Sequence, residues 1–157
     1  MRMMMTMPNM IANRTTLGRF DIQGESDLQA AVLSVQSNAQ LRASFGAAEV
    51  TMLATVASEL VRNILKYGGG HGYLLVSWID SIPDGASVEI KAVDFGPGFV
   101  DPKAALEDHY STGGTLGLGL PGAARIMDML EIDSKLGAGA VVTTRKWVKQ
   151  RAKSRAT

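Results

Sequence analysis

An α+β sandwich with a mixed sheet is the fold class this sequence predicts, and three observations carry it. Two helical periodicities fill most of the first 67 residues. Two strand pairs follow a glycine triplet, and a glycine-rich loop leads into one more helix between those pairs. The 157 residues, 46% hydrophobic and 20% charged, suit a single domain able to bury roughly 70% of its unfolded surface.

Residues 15–22 alternate well enough for an edge strand. Gly24 and Ser26 then open a helical pattern, with Ser26 as N-cap and Leu28, Ala31, Val32, Val35, Ala39 and Leu41 on the apolar side, until Gly46 interrupts it. Residues 47–67 form a second, longer helix, because Val50, Leu53, Ala57, Leu60, Val61, Ile64 and Leu65 recur at spacings of three and four. Gly68, Gly69 and Gly70 end it. The period then changes to two: residues 73–79 and 86–94 flank a Pro83-Asp84-Gly85 turn and read as a hairpin. A Gly/Pro-rich stretch with a brief helix at 102–107 leads to a glycine loop at 111–119. Pro121 suits the first turn of a helix running to about residue 130. Residues 131–136 and 140–148, joined by Gly137-Ala138-Gly139, close the chain as a second hairpin.

Composition excludes several chemistries. With no cysteine there is no disulfide scaffold, thiolate zinc site or cysteine nucleophile, and two histidines, His71 and His109, make a His-rich metal site a poor reading. The net charge of +1 is unevenly spread: six basic residues and no acids lie from Arg145 onward, leaving the first 144 residues with a charge of −5. Basic residues confined to one end suit a solvated tail better than a nucleic-acid face. No apolar run is long enough to span a membrane. The expected organisation is a flexible Met-rich segment at 1–13, one domain at 14–149 and a basic tail at 150–157, in a cytoplasmic protein with no nucleic-acid or membrane partner.

Three groups of residues could carry chemistry. Glu59, Asn63, Lys66 and Tyr67 share one side of the long helix near its C-terminal end. A carboxylate, an amide oxygen, an ammonium and a phenol on one stripe suit a hydrated Mg²⁺ with phosphates, since that ion takes hard oxygen ligands; a solvated helix edge is the plainer alternative. Asp94 follows Val88, Ile90 and Ala92 on the same strand face, and a carboxylate there needs a donor. Gly96 and Gly98 remove side chains just beyond it, so a flat ligand such as adenine could approach and donate its exocyclic amine; a structural turn is the alternative. Thr112, Gly113, Gly114, Thr115, Leu116, Gly117, Leu118, Gly119 and Leu120 precede a helix N-terminus and form an anion cradle of free N–H groups. The G-x-G-x-x-G match at 117–122 is not a dinucleotide half-domain, because no convincing strand precedes it and too little chain follows. No P-loop motif occurs.

Taken together, Glu-x-x-x-Asn-x-x-Lys-Tyr, Asp-x-Gly-x-Gly-Phe and Thr-Gly-Gly-Thr-x-Gly-x-Gly-Leu, in that order, resemble the GHKL ATP-binding family over roughly residues 17–149. The resemblance implies a two-layer α/β sandwich with a mostly antiparallel sheet and helices on one face, binding ATP and Mg²⁺. It implies that Asn63 holds the metal, Asp94 takes the adenine amine, Gly96 and Gly98 form the adenine turn, and residues 112–120 are a lid over the phosphates. Lys66 and Tyr67 would flank the phosphates, and Glu59 would accept the proton of a protein hydroxyl. Within the family the chain is similar to the RsbT-like one-domain serine/threonine kinases of bacterial partner switching, which belong to the stressosome. That implies a STAS-domain regulator as phosphorylation substrate and a phosphatase as second partner, and it leaves a homodimer open. One departure stands out: the family's threonine after the last Gly-x-Gly is Ala140 here, which removes the water-mediated adenine contact that threonine supports. An RsbW-like anti-sigma factor kinase with a sigma factor as captive is the alternative of the same chemistry. A non-catalytic, nucleotide-dependent binding module is the alternative of another class. A detached histidine-kinase ATPase domain fits less well, since neither histidine sits in a helical phosphoacceptor context.

Overall fold

A computed structural model describes residues 10–107 and 119–149. In chain order the elements are β1 (Met10–Ile22), α1 (Glu25–Ser37), α2 (Ala39–Ser44), α3 (Ala47–Tyr67), β2 (Gly72–Ile82) and β3 (Gly85–Asp94). There follow α4 (Pro102–Ala105), α5 (Gly119–Ile126), β4 (Met129–Ser134) and β5 (Ala140–Trp147). The strands make one five-stranded sheet in the order β1-β2-β3-β5-β4, with every ladder antiparallel. This corrects the mixed sheet expected from sequence. β4 does run in the direction of β3, but β5 returns between them, so no parallel neighbours meet among the described residues.

Several boundaries move for local reasons. β1 begins at Met10 rather than residue 15, because its first residues find partners on β2 as far as Met10 opposite Ile82. The N-cap of the first helix is Gly24, not Ser26: the Asp27 carboxylate accepts from the backbone N–H of Gln23 at 2.8 Å and of Gly24 at 3.0 Å, closing the N-terminus from inside the first turn. The apolar pattern reaching Leu41 is two helices. Asn38 is extended (φ −65°, ψ 123°) and its side chain accepts from Leu41 N at 3.1 Å, so it caps α2 and breaks the run. α4 is shorter than the expected 102–107, and its N-terminus is capped by Asp101. Near the end, α5 stops at Ile126 rather than residue 130, since Asp128 N–H already bonds Arg145 O and commits the chain to the sheet. β4 accordingly starts two residues early, at Met129.

One helical layer covers one sheet face. α3 buries Leu53, Val56, Ala57, Leu60, Val61 and Ile64, and α1 adds Leu28, Ala31 and Val35. Opposite them the sheet presents Leu74 and Val76 of β2, Val88, Ile90 and Ala92 of β3, and Val142 of β5. Each large side chain so buried contributes roughly 1.5–3 kcal/mol, and together they fix α3 across the middle strands.

The face turned away from the helices is polar and buried at its centre. Ser77, Ser87, Glu89 and Arg145 are all nearly inaccessible there. Glu89 is the hub: its carboxylate meets Arg14 of β1 at 2.7 Å, Arg145 of β5 at 2.8 Å and Lys91 of its own strand at 3.7 Å. Burial alone would raise the Glu89 carboxyl, but the hydrogen bonds from Arg14 and Arg145 and the charges of Arg14 and Lys91 outweigh it. They hold it below the ordinary glutamate value. The hub ties β1, β3 and β5 together across the sheet.

Candidate functional site

The C-terminal half of α3 and the end of β3 bring two of the three predicted groups together. β3 places Val88, Ile90 and Ala92 in the core and leaves Asp94 partly exposed at the rim of the same face, as the alternation predicts. Asp94 Oδ1 accepts from Gly96 N at 3.0 Å, which closes the turn, and the second carboxylate oxygen takes no donor among the described residues.

Glycines make this turn possible. A Cβ on Gly68, the residue that ends α3, would lie 2.6 Å from Asp94 Cβ, and one on Gly96 would collide with the Gly68 backbone. The helix end and the turn therefore touch directly, backbone to backbone, and a side chain at either position would part them. Gly98 has φ +78°, a left-handed conformation, and a Cβ there would sit 2.6 Å from Lys135 O. Two further bonds clamp the turn to the β4–β5 hairpin: Gly137 N donates to Pro97 O at 2.9 Å, and Phe99 N donates to Ser134 Oγ at 2.6 Å. Ala140, where the resemblance would place a threonine, stands opposite Asp94 in the β3–β5 ladder.

On α3, Glu59 is a buried carboxylate, only 6% exposed. Its Oε2 accepts from Gly119 N at 3.1 Å and its Oε1 from Arg62 at 3.2 Å. Asn63, one turn further on, is half-buried and its amide nitrogen has no partner among the described residues. Its side-chain oxygen is a hard ligand of the kind Mg²⁺ takes, so the residues present fit that ion. Among the described residues no cluster of three His, Cys, Asp or Glu could hold a metal on its own. Lys66 and Tyr67 are exposed on the last turn, where the ammonium lies 5.2 Å from the phenol ring centroid. Among the described residues no hydrogen bond or ion pair joins either of them to Glu59 or Asp94.

Of the glycine cradle, Gly119 and Leu120 open α5, with Leu120 buried; residues 112–118 lie outside the described residues. Pro121 takes the first turn of α5, as its fixed φ favours. Sequence reasoning missed three residues of this region. Arg62 was readable as an i, i+3 partner of Glu59. Gly68 was read only as a helix stop, because its contact with Asp94 joins residues 26 apart, and Ser134 gives no local signal at all. Beside Glu59 a groove of about 620 Å³ runs between α1 and α3, lined by Leu28, Val32, Leu33, Thr55, Ser58 and Arg62 among others.

Comparison with known proteins agrees with this geometry. Residues 24–146 match the histidine kinase-like ATPase domain. The chain is 36% identical over 107 residues to the serine/threonine-protein kinase RsbT of Bacillus subtilis strain 168, an alignment covering 67% of this chain and 77% of that protein. Among solved structures it is similar to the SiaB-SiaC complex of Pseudomonas aeruginosa, at 18% identity and a TM-score of 0.48 over 83% of this chain and 89% of that one. It is also similar to the histidine kinase domain of the E. coli osmosensor EnvZ, at 20% identity and a TM-score of 0.42 over 93% and 98%. Because that match spans residues 24–146, well over half of the sequence, the chain belongs to the histidine kinase-like ATPase domain family.

Proposed function

We propose that this chain is a protein serine/threonine kinase of a bacterial partner-switching pathway, transferring phosphate from Mg-ATP to a hydroxyl of a STAS-domain regulator and exchanging that regulator for a second protein. The observation that carries the reading is Glu59: a buried carboxylate on the nucleotide-side helix, one turn from the Asn63 amide and bonded to the residue that opens α5. Similarity to RsbT supports the choice of a protein hydroxyl as acceptor.

In this reading Asp94 selects adenine by accepting its amine, because a guanine would present an acceptor there instead. The turn held by Gly68, Gly96 and Gly98 lets the base lie against backbone. Asn63 would hold Mg²⁺, which neutralises phosphate charge when bound. A hydroxyl is a poor nucleophile at neutral pH, and Glu59 accepts its proton as the new P–O bond forms. Lys66 and Tyr67 lie further along the same helix and would flank the phosphates. Backbone N–H groups within residues 112–120, apart from that of Gly119, which Glu59 holds, would stabilise charge on the transferring phosphoryl group.

Pull-down from the native cell, with and without ATP, tests the partner assignment. A captured STAS-domain protein that gains a phosphoserine or phosphothreonine on incubation with Mg-ATP supports the reading. A captured sigma factor redirects it to an anti-sigma kinase. Capture that responds to ATP with no transfer to any partner leaves a nucleotide-dependent binding module. No helix among the described residues is long and apolar enough to cross a membrane.

A further inference from the structure

A carboxylate that takes a proton from an acceptor hydroxyl works only if it points at that hydroxyl, and bases of this kind are oriented by a third group. In this chain the group is visible. Arg62 lies one turn along α3 from Glu59 and places Nη1 3.2 Å from Oε1, while the other oxygen is held by the Gly119 N–H at 3.1 Å. The two donors come from different elements and grip the two oxygens separately, which fixes the plane of the carboxylate.

Resting on the kinase reading above, we propose that Arg62 is a positioning residue for the Glu59 base, holding the carboxylate toward an acceptor that enters along the groove between α1 and α3. Two features separate this role from a stabilising one. The Arg62 side chain is 49% exposed, so its ion pair is largely screened by solvent and adds little to stability. Arg62 also lines the groove beside Ser58, Thr55 and Glu59, so its guanidinium stands where that groove meets the carboxylate. A bulky cation kept half in solvent at that point is poorly explained by packing, and well explained by orientation of its neighbour.

The test is a double-mutant cycle read by single-turnover transfer of phosphate from Mg-ATP to a STAS-domain acceptor protein. Arg62→Met keeps the stem and removes the donors. It should slow transfer by about 10–100-fold, with the ATP dissociation constant and melting temperature unchanged. Arg62→Lys should recover part of the loss, and low-millimolar guanidinium should recover part of it in Arg62→Met. In a Glu59→Ala background, Arg62→Met should have no further effect, since a positioning group has nothing left to position. Transfer within twofold of wild type in Arg62→Met, or full additivity of the two substitutions, overturns the proposal. If Glu59→Ala itself transfers normally, the base assignment falls first and the positioning role with it. If Glu59→Ala is slow and Arg62→Met is normal, only the positioning role falls.

Discussion

Asp94 shows how much of the site rests on single atoms. One of its oxygens closes its own turn through Gly96 N–H, and the other takes no donor among the described residues. Asp94→Asn keeps the shape but replaces one carboxylate oxygen by a donor, so the charge-assisted bond to an adenine amine disappears. That loss corresponds to about 1.5–3 kcal/mol, or roughly 10–150-fold in ATP affinity, and calorimetry should show it with the fold unchanged. GTP should bind the wild type poorly and gain little from the substitution. Glu59 and Asn63 are legible in sequence because a helix puts residues four apart on one side, which needs no knowledge of the rest of the molecule. Arg62 was equally legible by spacing, yet its role appears only once Gly119 is seen on the other oxygen of Glu59.

The elements themselves divide between those set by local pattern and those set by their neighbours. α3 and the β2–β3 hairpin lie close to where periodicity and the Pro83-Asp84-Gly85 turn put them, because both signals are dense and local. The division at Asn38 has only a weak mark in the sequence: Leu41 lies six residues past Val35, off the three-and-four spacing, and the bond that Leu41 N–H donates to the Asn38 side chain shows that a new helix starts. Asn38→Ala should therefore cost about 1 kcal/mol in denaturant unfolding, the usual worth of an N-cap, while leaving ATP affinity alone. The early start of β1 and the early end of α5 have the same origin. Each is fixed by hydrogen bonds to a distant strand, Met10 to the end of β2 and Asp128 to Arg145 O.

At the scale of the molecule, two faces of one sheet do different work. The helix-covered face carries the proposed nucleotide site along its rim, and the other face is held by the Glu89 hub between β1, β3 and β5. Because the folded-state carboxyl of Glu89 is held below its ordinary value, its contribution to stability is fully present above that value. It is lost as pH falls through the folded value. Glu89→Gln should flatten the acid limb of a plot of unfolding free energy against pH; an unchanged acid limb would argue that the hub is unimportant to folding. The same sheet delivers Asp94 to its place, so the hub and the site share a strand. The central claim, that the molecule is a kinase with Glu59 as base, is tested most directly by single-turnover phosphorylation of the STAS-domain acceptor with wild type and Glu59→Ala. The account predicts ATP binding within a few-fold of wild type and transfer slower by roughly 10²–10⁴ in Glu59→Ala. Transfer at the wild-type rate in that variant would contradict it.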